Sequence, residues 1–260
     1  MTERYSVDDL LGVMAALRHP ETGCPWDIKQ SFRSIVPSTV EEVYELVDAI
    51  EREDWDHIAE ELGDVMFQVV FYAQMGQEQG RFNFADIVHT LTEKLIRRHP
   101  HVFAKQGEAI SEEEVKRNWE AIKQQERSGK QKTRVLDDIP TALPALTRAQ
   151  KLTKRAATVG FDWKNINLVL AQIKSEIIEL EEAIEAGDTA HSAEELGDVL
   201  LCAANLARHL KIDAEQCLRD GNAKFERRFN YIEDHSPIPL QDSTLEAMDA
   251  LWHEAKSKGL

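Results

Sequence analysis

The heptapeptide AEELGDV occurs twice in this 260-residue chain, at residues 59–65 and again at residues 193–199. The two copies are 134 residues apart, and no gap is needed to extend the match across the predicted helix–turn–helix, from Glu42 to the end of the heptapeptide. The same offset superposes further residues: Glu42 on Glu176, Glu45 on Glu179, Ala49 on Ala183 and His57 on His191. A self-similarity at one fixed offset indicates a duplicated structural unit. The chain is therefore predicted to contain two copies of one domain, which agrees with a length above the usual single-domain size of about 100–200 residues.

The repeated unit is predicted to be helical. Apolar residues recur at spacings of three and four, for example at Ile173, Ile177 and Leu180, and this period is typical of helices with one buried face. Ser38 with Glu41 and Ser111 with Glu114 have the spacing of a capping box and predict two helix starts. The predicted helices span 7–18, 38–52, 54–79, 83–98 and 111–127 in the first half, and 144–157, 165–186, 188–210, 213–233 and 242–257 in the second. The expected fold class is all-α.

The domain boundaries follow from this pattern. The first helical domain is predicted at 1–127 and the second at 144–260, joined by a charged linker at 128–143. The stretch 127–144 contains two prolines, Pro140 within the linker and Pro144 at the new helix start. Beyond the heptapeptide, offsets of 130 to 133 place KLIRR on KFERR and Trp119 on Trp252.

Each half keeps four acidic residues in the order E-x-x-E and E-x-x-D: Glu42, Glu45, Glu61 and Asp64 in the first, and Glu176, Glu179, Glu195 and Asp198 in the second. Acids three positions apart lie on one helix face. A short turn between the two helices would bring the two pairs together. One alternative is that these acids are solvated surface residues. Against it, Asp64 and Asp198 lead directly into the apolar runs 65–73 and 199–204, where converging carboxylates repel unless a cation lies between them.

All-oxygen ligands suit Mg²⁺ or Mn²⁺, and the Glu-x-x-His pairs of di-iron bundles are absent from these positions. The sequence therefore predicts a Mg²⁺ site, with Mn²⁺ as a substitute. The glycine between the last two acids, Gly63 or Gly197, is expected to make room for a neighbouring helix.

A net charge of −16 argues against binding to a nucleic-acid polymer or an anionic membrane. The N-terminus lacks the pattern of a signal peptide, and the longest nearly apolar run is too short to cross a bilayer, so a cytoplasmic location is expected. The three cysteines, which form no C-x-x-C pair, are expected to be reduced packing residues.

Several further motifs accompany the carboxylates: GCPWD at 23–27, RRHPHVF at 97–103, VGFDW at 159–163 and KFERRF at 224–229. With the acidic blocks in this order, essentially the whole chain resembles the MazG family of the all-α NTP pyrophosphatase superfamily. The resemblance implies two tandem helical-bundle domains, with the bundles completed by homodimerisation. It also implies Mg²⁺-dependent hydrolysis of ribo- and deoxyribonucleoside triphosphates, ATP among them, to the monophosphate and pyrophosphate.

The resemblance further implies that the second domain is catalytic and the first inactive or accessory. The metal ligands of the second domain would be Glu176, Glu179, Glu195 and Asp198. Its nucleotide-contacting residues would be Glu194, Lys224, Arg228 and Trp252. No catalytic residue beyond the metal ligands is singled out. In the first domain Glu42, Glu45, Glu61 and Asp64 would form a second metal set. One departure from the family is Ser175, which replaces the leading acid that the first domain keeps as Glu41.

Two other functions remain open from the sequence. The chain could be a non-catalytic regulatory protein that senses nucleotides or binds a partner, or a helical scaffold whose acids are surface residues. The sequence also leaves open the base and sugar preference and whether the main substrate is a canonical or a damaged nucleotide. It does not identify the general base, the number of metal ions or whether the first domain is active.

Overall fold

The helical prediction is confirmed along the part of the chain that the computed structural model describes, residues 4–103, 111–128 and 134–260, which contains no β-strand. The helices of the first half are α1 Val7–Leu17, α2 Pro25–Lys29, α3 Val36–Glu51, α4 Trp55–Glu78, α5 Phe84–Arg98, α6 Pro100–Phe103 and α7 Glu112–Ser128. Those of the second half are α8 Ala145–Ala157, α9 Ile166–Glu185, α10 Thr189–Leu210, α11 Ala214–His235 and α12 Leu245–Ser257, with a 3₁₀ turn at Leu240–Asp242. No helix in these ranges is both long and apolar enough to cross a membrane.

The chain divides into two compact units, Met1–Glu126 and Arg127–Leu260, here called the first and second domains. The division falls one residue before the predicted end of the first domain. Part of the predicted linker, residues 129–133, lies outside the described residues. Its later part packs on the second domain, because Arg155 of α8 donates hydrogen bonds to the backbone oxygens of Val135 and Asp137 at 3.1 and 3.2 Å.

One of the two predicted helix starts is confirmed and one is wrong. At the start of α7 the backbone N–H of Ser111 donates to the Glu114 carboxylate at 3.0 Å, and the Glu114 N–H donates to Ser111 Oγ at 3.3 Å. The expected cap at Ser38 does not form, because α3 begins two residues earlier, at Val36, with Pro37 in its first turn. Proline fits a first turn well, since the N–H that it lacks would have no partner there. Prolines also begin the short helices α2 and α6, which the apolar periodicity did not predict.

The duplicated element is a helical hairpin, α3–α4 in the first domain and α9–α10 in the second. Each turn contains one residue with a left-handed backbone, Glu53 at φ 55° and Gly187 at φ 70°. Each second helix is capped by an aspartate: Asp54 accepts from the His57 N–H at 3.2 Å, and Asp188 accepts from the His191 N–H at 3.0 Å. The turn and cap are thus reproduced in both copies, and they fix the register in which the acidic residues of the two helices face each other.

The buried core lies towards the C-terminal half of α4 rather than around its acidic start. Val70, Phe71 and Met75 of α4 are buried with Met14 of α1 and Ile35. In the second domain the core contains Val169 and Ala183 of α9, Ala204 of α10, Ile232 of α11 and Ala255 of α12.

The apolar runs that follow Asp64 and Asp198 are not fully buried within one chain. Met66 and Leu200 are 47% and 51% exposed. Outside its own helix backbone, a methyl group added at Gly63 or Gly197 would meet no atom of the described residues within 4 Å. Within that part of the chain, these glycines therefore do not make room for another helix. The hairpins therefore present an apolar surface to the outside beside their acidic residues.

Candidate metal centre

Three carboxylates converge on each hairpin. In the second domain Glu176 and Glu179 of α9 and Glu195 of α10 each place one oxygen so that the three oxygens lie within 4.8 Å of one another. Glu42, Glu45 and Glu61 form the matching cluster in the first domain. Oxygen ligands bind Mg²⁺ at about 2.1 Å and Ca²⁺ at about 2.4 Å. Two oxygens on opposite sides of one such ion are therefore about 4.2 to 4.8 Å apart. The oxygens of each cluster lie within 4.8 Å of one another, so both clusters fit a divalent cation.

The fourth predicted acid of each set lies beside the cluster rather than in it. Asp64 is close enough for its negative charge to raise the pKa of Glu42 and of Glu61. Asp198 acts in the same way, with Glu176, on the thiol of Cys202. The structure therefore brings together three of the four predicted ligands in each domain and places the aspartate next to them.

The acids of the first cluster are costly to ionise together. Burial raises the pKa of the Glu42 carboxyl, and four neighbouring acids raise it further: Asp64, Glu45, Glu61 and Glu41. Burial also raises the pKa of Glu61, and the negative charge of Glu45 raises it further. A bound cation would relieve this repulsion, which supports a metal at the cluster on grounds independent of any resemblance.

Each carboxylate of the second cluster has a polar partner one turn earlier on its own helix. Gln172 Nε2 donates to Glu176 Oε1 at 2.7 Å, and Ser175 Oγ donates to Glu179 Oε1 at 3.2 Å. His191 Nε2 lies 2.9 Å from Glu195 Oε1. Sequence reasoning missed all three partners, although each stands four residues before its acid, which is the spacing of neighbours on one helix face.

Ser175 gives a physical meaning to the departure from the family pattern. In the first domain the matching Glu41 adds negative charge next to Glu42 and raises its pKa. In the second domain the hydroxyl of Ser175 donates a hydrogen bond to a ligand carboxylate instead. The substitution therefore replaces repulsion with support at the cluster of the second domain.

A second pair of matching positions lies beneath the clusters. Gln68 of α4 and Cys202 of α10 are both buried. Gln68 Nε2 lies 3.5 Å from Glu42 Oε1, and Cys202 Sγ lies 4.0 Å from Glu176 Oε1. Burial raises the pKa of the Cys202 thiol, and the charges of Glu176 and Asp198 raise it further, so the residue is a neutral thiol facing the acids. Cys202 thus contacts the site as well as packing.

The predicted nucleotide-contacting residues fall into two groups. Arg228 of α11 and Trp252 of α12 lie together, with the guanidinium carbon 5.3 Å from the centre of the indole ring, and the Phe225 ring is also 5.3 Å from Trp252. Lys224, one turn before Arg228, is exposed, as is Glu194 on α10. The structure therefore brings Arg228 and Trp252 together from two helices, and the nucleotide-binding role of all four residues stays a prediction from the resemblance.

The VGFDW motif fixes the segment between α8 and α9. Asp162 Oδ1 accepts from Arg208 at 2.5 Å and lies 2.9 Å from His209 Nε2, both at the end of α10. Burial works to raise the pKa of Asp162, but these two contacts outweigh it and hold the pKa below its ordinary value. The motif thus ties the start of α9 to the end of α10 and supports the hairpin that carries the cluster.

Comparison with known proteins agrees with this architecture. A family model described as the MazG nucleotide pyrophosphohydrolase domain matches residues 30–103 and 164–232, which include both clusters. The nucleoside triphosphate pyrophosphohydrolase of Escherichia coli K12 is 50% identical over 255 residues, covering 96% of this chain and 97% of its own length. The nucleoside triphosphate pyrophosphohydrolase/pyrophosphatase MazG of Thermotoga maritima is 42% identical over 252 residues, covering 96% and 95%. YabN of Bacillus subtilis is 43% identical over 94% of this chain, which spans 50% of YabN. The chain belongs to the MazG nucleotide pyrophosphohydrolase family.

Proposed function

We propose that this chain hydrolyses nucleoside triphosphates, ATP among them, to the nucleoside monophosphate and pyrophosphate, with Mg²⁺ bound in the second domain and Mn²⁺ as a substitute. The observation that carries the proposal is the convergence of Glu176, Glu179 and Glu195 from two helices within 4.8 Å. The name of the Escherichia coli relative, with nearly full coverage of both chains, supports the reaction.

The acidic cluster and the substrate both carry negative charge. A triphosphate has about four negative charges near neutral pH, so carboxylates alone would repel it. When bound, Mg²⁺ supplies positive charge that offsets the repulsion between the carboxylates and the triphosphate, and it lowers the pKa of water for attack on phosphorus. Gln172, Ser175 and His191 orient the three carboxylates through the contacts described above, and Asp198 adds negative charge beside them.

Arg228 and Trp252 are suited to the phosphate and the base. The Nε–H of Arg228 donates to the backbone oxygen of Leu260 at 2.7 Å, which holds the guanidinium in place and leaves its two terminal amino groups as donors. These groups can neutralise charge on the departing pyrophosphate, with Lys224 one turn away. The Trp252 ring can stack on a base. None of these roles involves the sugar, so we extend the proposal to ribo- and deoxyribonucleotides.

A homodimer is part of the proposal. Beside the second cluster α9 exposes Ile177 and Ile178, and α10 exposes Leu196 and Leu200, each by 41% or more. A soluble monomer rarely exposes a continuous apolar patch of this kind. A second copy of the same hairpin would cover it and complete a helical bundle around the site. Because nucleoside triphosphates are cytoplasmic metabolites, we place the activity in the cytoplasm.

The test is a panel of ribo- and deoxyribonucleoside triphosphates incubated with the full chain and Mg²⁺. The expected products are the monophosphate and pyrophosphate in equal amounts, with no product when EDTA removes the metal. Diphosphate and orthophosphate as products would overturn the proposed bond choice. Binding of a triphosphate without any product would support the nucleotide-sensing alternative instead.

A further inference from the structure

The paired arginines of the two domains have different hydrogen-bond partners. By the repeat, Arg97 and Arg98 at the end of α5 match Arg227 and Arg228 of α11. In the first domain both arginines bind one side chain, Glu126 of α7. Arg97 donates to Glu126 Oε1 from Nε at 3.1 Å and from a terminal amino group at 2.7 Å. Arg98 donates from Nε to Oε1 at 3.3 Å and from a terminal amino group to Oε2 at 2.6 Å.

The ion pair of Arg97 and Arg98 with Glu126 is partly buried and has several hydrogen bonds, unlike most surface ion pairs. The side chains of Glu126 and Arg98 are only 22% and 28% exposed, and four hydrogen bonds converge on one carboxylate. The hydrogen bonds from Arg98 and Arg97 lower the pKa of Glu126 to about 2, so its carboxylate is charged at neutral pH. Fork-like pairing of a guanidinium with two oxygens is also how arginine binds phosphate.

No acidic side chain of the second domain stands at the position that matches Glu126. The offset that places Trp119 on Trp252 places Glu126 on Gly259, which has no side chain. The helix is also shorter there, because α12 ends at Ser257 while α7 continues to Ser128. Among the described residues no side-chain carboxylate pairs with Arg228, which lies over Trp252. Arg228 donates its Nε–H to an oxygen of Leu260 in one hydrogen bond, whereas Glu126 accepts four from the two arginines of the first domain.

We propose that Glu126 determines which of the two carboxylate clusters accepts a triphosphate, by occupying the anion-binding position of the first domain. This inference rests on the proposed function, because it takes Arg228 as a phosphate-binding residue and Arg98 as its match. The carboxylate of Glu126 lies where a phosphate group would bind the arginines, and an entering phosphate must break four hydrogen bonds to displace it. The cluster of Glu42, Glu45 and Glu61 is then able to hold a divalent cation without binding the nucleotide.

The test uses the full chain with the second site disabled by Glu179→Ala and Arg228→Ala. The probe is a nucleoside triphosphate with an α,β-methylene bridge, which resists cleavage at the bond in question, and its binding in Mg²⁺ is measured by calorimetry. Adding Glu126→Ala is expected to increase the affinity at least tenfold, and adding Arg98→Ala to that variant is expected to remove the gain. The matched control is Glu113→Ala, an exposed acid on the same helix, which changes the net charge equally and should give no gain.

Equal affinities for the Glu126→Ala and Glu113→Ala variants would overturn the inference, and so would tight binding before Glu126 is changed. Glu126→Gln, which keeps the shape of the side chain, repeats the comparison if the alanine variant does not fold. The outcome is separate from that of the proposed function, since the unmodified chain is tested for hydrolysis on its own. A chain that releases pyrophosphate but shows no gain with Glu126→Ala loses only this inference.

Discussion

The imidazole Nε2 of His191 lies 2.9 Å from Oε1 of Glu195, one turn further along α10. Glu195 is buried and belongs to the carboxylate cluster. The matching histidine of the first domain forms its ion pair elsewhere, because His57 Nδ1 lies 3.3 Å from Asp54, although its charge also lowers the pKa of Glu61, the match of Glu195. A polar partner that orients a metal-ligating side chain strengthens metal binding, so the same residue type has unequal consequences in the two copies.

Replacing His191 is therefore expected to weaken metal binding in the second domain. Loss of a residue that orients a ligand typically costs about 10–100-fold in metal affinity. We expect His191→Ala to raise the Mg²⁺ concentration needed for half-maximal hydrolysis by about tenfold, with His191→Gln retaining part of the affinity through its amide. Direct titration with Mn²⁺, followed by electron paramagnetic resonance, measures the same loss without turnover. His57→Ala is the matched control, and an equal effect of the two alanine variants would contradict the special role of His191.

The two clusters are expected to differ in their importance for turnover. A bound metal ion contributes several kcal/mol of transition-state stabilisation, so losing one of its ligands is expected to cost about 100-fold or more in rate. We therefore expect Glu179→Ala to abolish measurable pyrophosphate release and Glu45→Ala to leave most of it. Glu181→Ala, an exposed acid on α9, controls for the loss of charge from the helix. Comparable losses with Glu179→Ala and Glu45→Ala would mean that both domains contribute to catalysis.

The sequence predicted the hairpins and their acids because both depend on local spacing. A fixed offset, a period near 3.6 and acids three apart place Glu176 and Glu179 on one face, and a short capped turn then brings Glu195 opposite them. The same spacing could not show that Asp198 lies beside the three-oxygen set, since that depends on how far each side chain reaches. The partner of Glu195 was within reach of the same argument, since His191 stands one turn before it.

Contacts between distant segments were beyond the sequence. The pairing of Arg98 with Glu126 spans 28 residues and depends on how α7 packs on the end of α5. No periodicity within either helix contains that information. The helix start at Ser38 was predicted wrongly for a local reason, because Pro37 allowed the helix to begin earlier than the capping pattern indicated.

A charge placed on the exposed apolar surface of α9 is expected to block the proposed dimer. Ile178 is 54% exposed within one chain, so a lysine there costs little in a monomer but much in a dry interface. We expect sedimentation of Ile178→Lys to give the monomer mass at micromolar concentration, where the unmodified chain gives the dimer mass. Ile238→Lys is the control, since Ile238 is 48% exposed but lies outside the hairpin. A monomer mass for the unmodified chain would contradict the dimer.

The ion pair of Glu126 predicts a pH dependence of stability in the first domain. The arginines lower the pKa of Glu126 in the folded chain to about 2, from about 4.5 when unfolded. Below its ordinary pKa the unfolded chain therefore binds a proton more readily than the folded chain does, and stability falls as pH falls. The contribution of Glu126 is fully present above about pH 5 and is lost progressively between pH 4.5 and pH 2.

We expect the unmodified chain to melt at a higher temperature than Glu126→Gln at pH 7, with the difference shrinking as the pH is lowered from 5 to 3. Glu113→Gln should show no such trend, and a difference between the unmodified chain and Glu126→Gln that is unchanged across this range would show that the carboxylate charge contributes nothing to the fold.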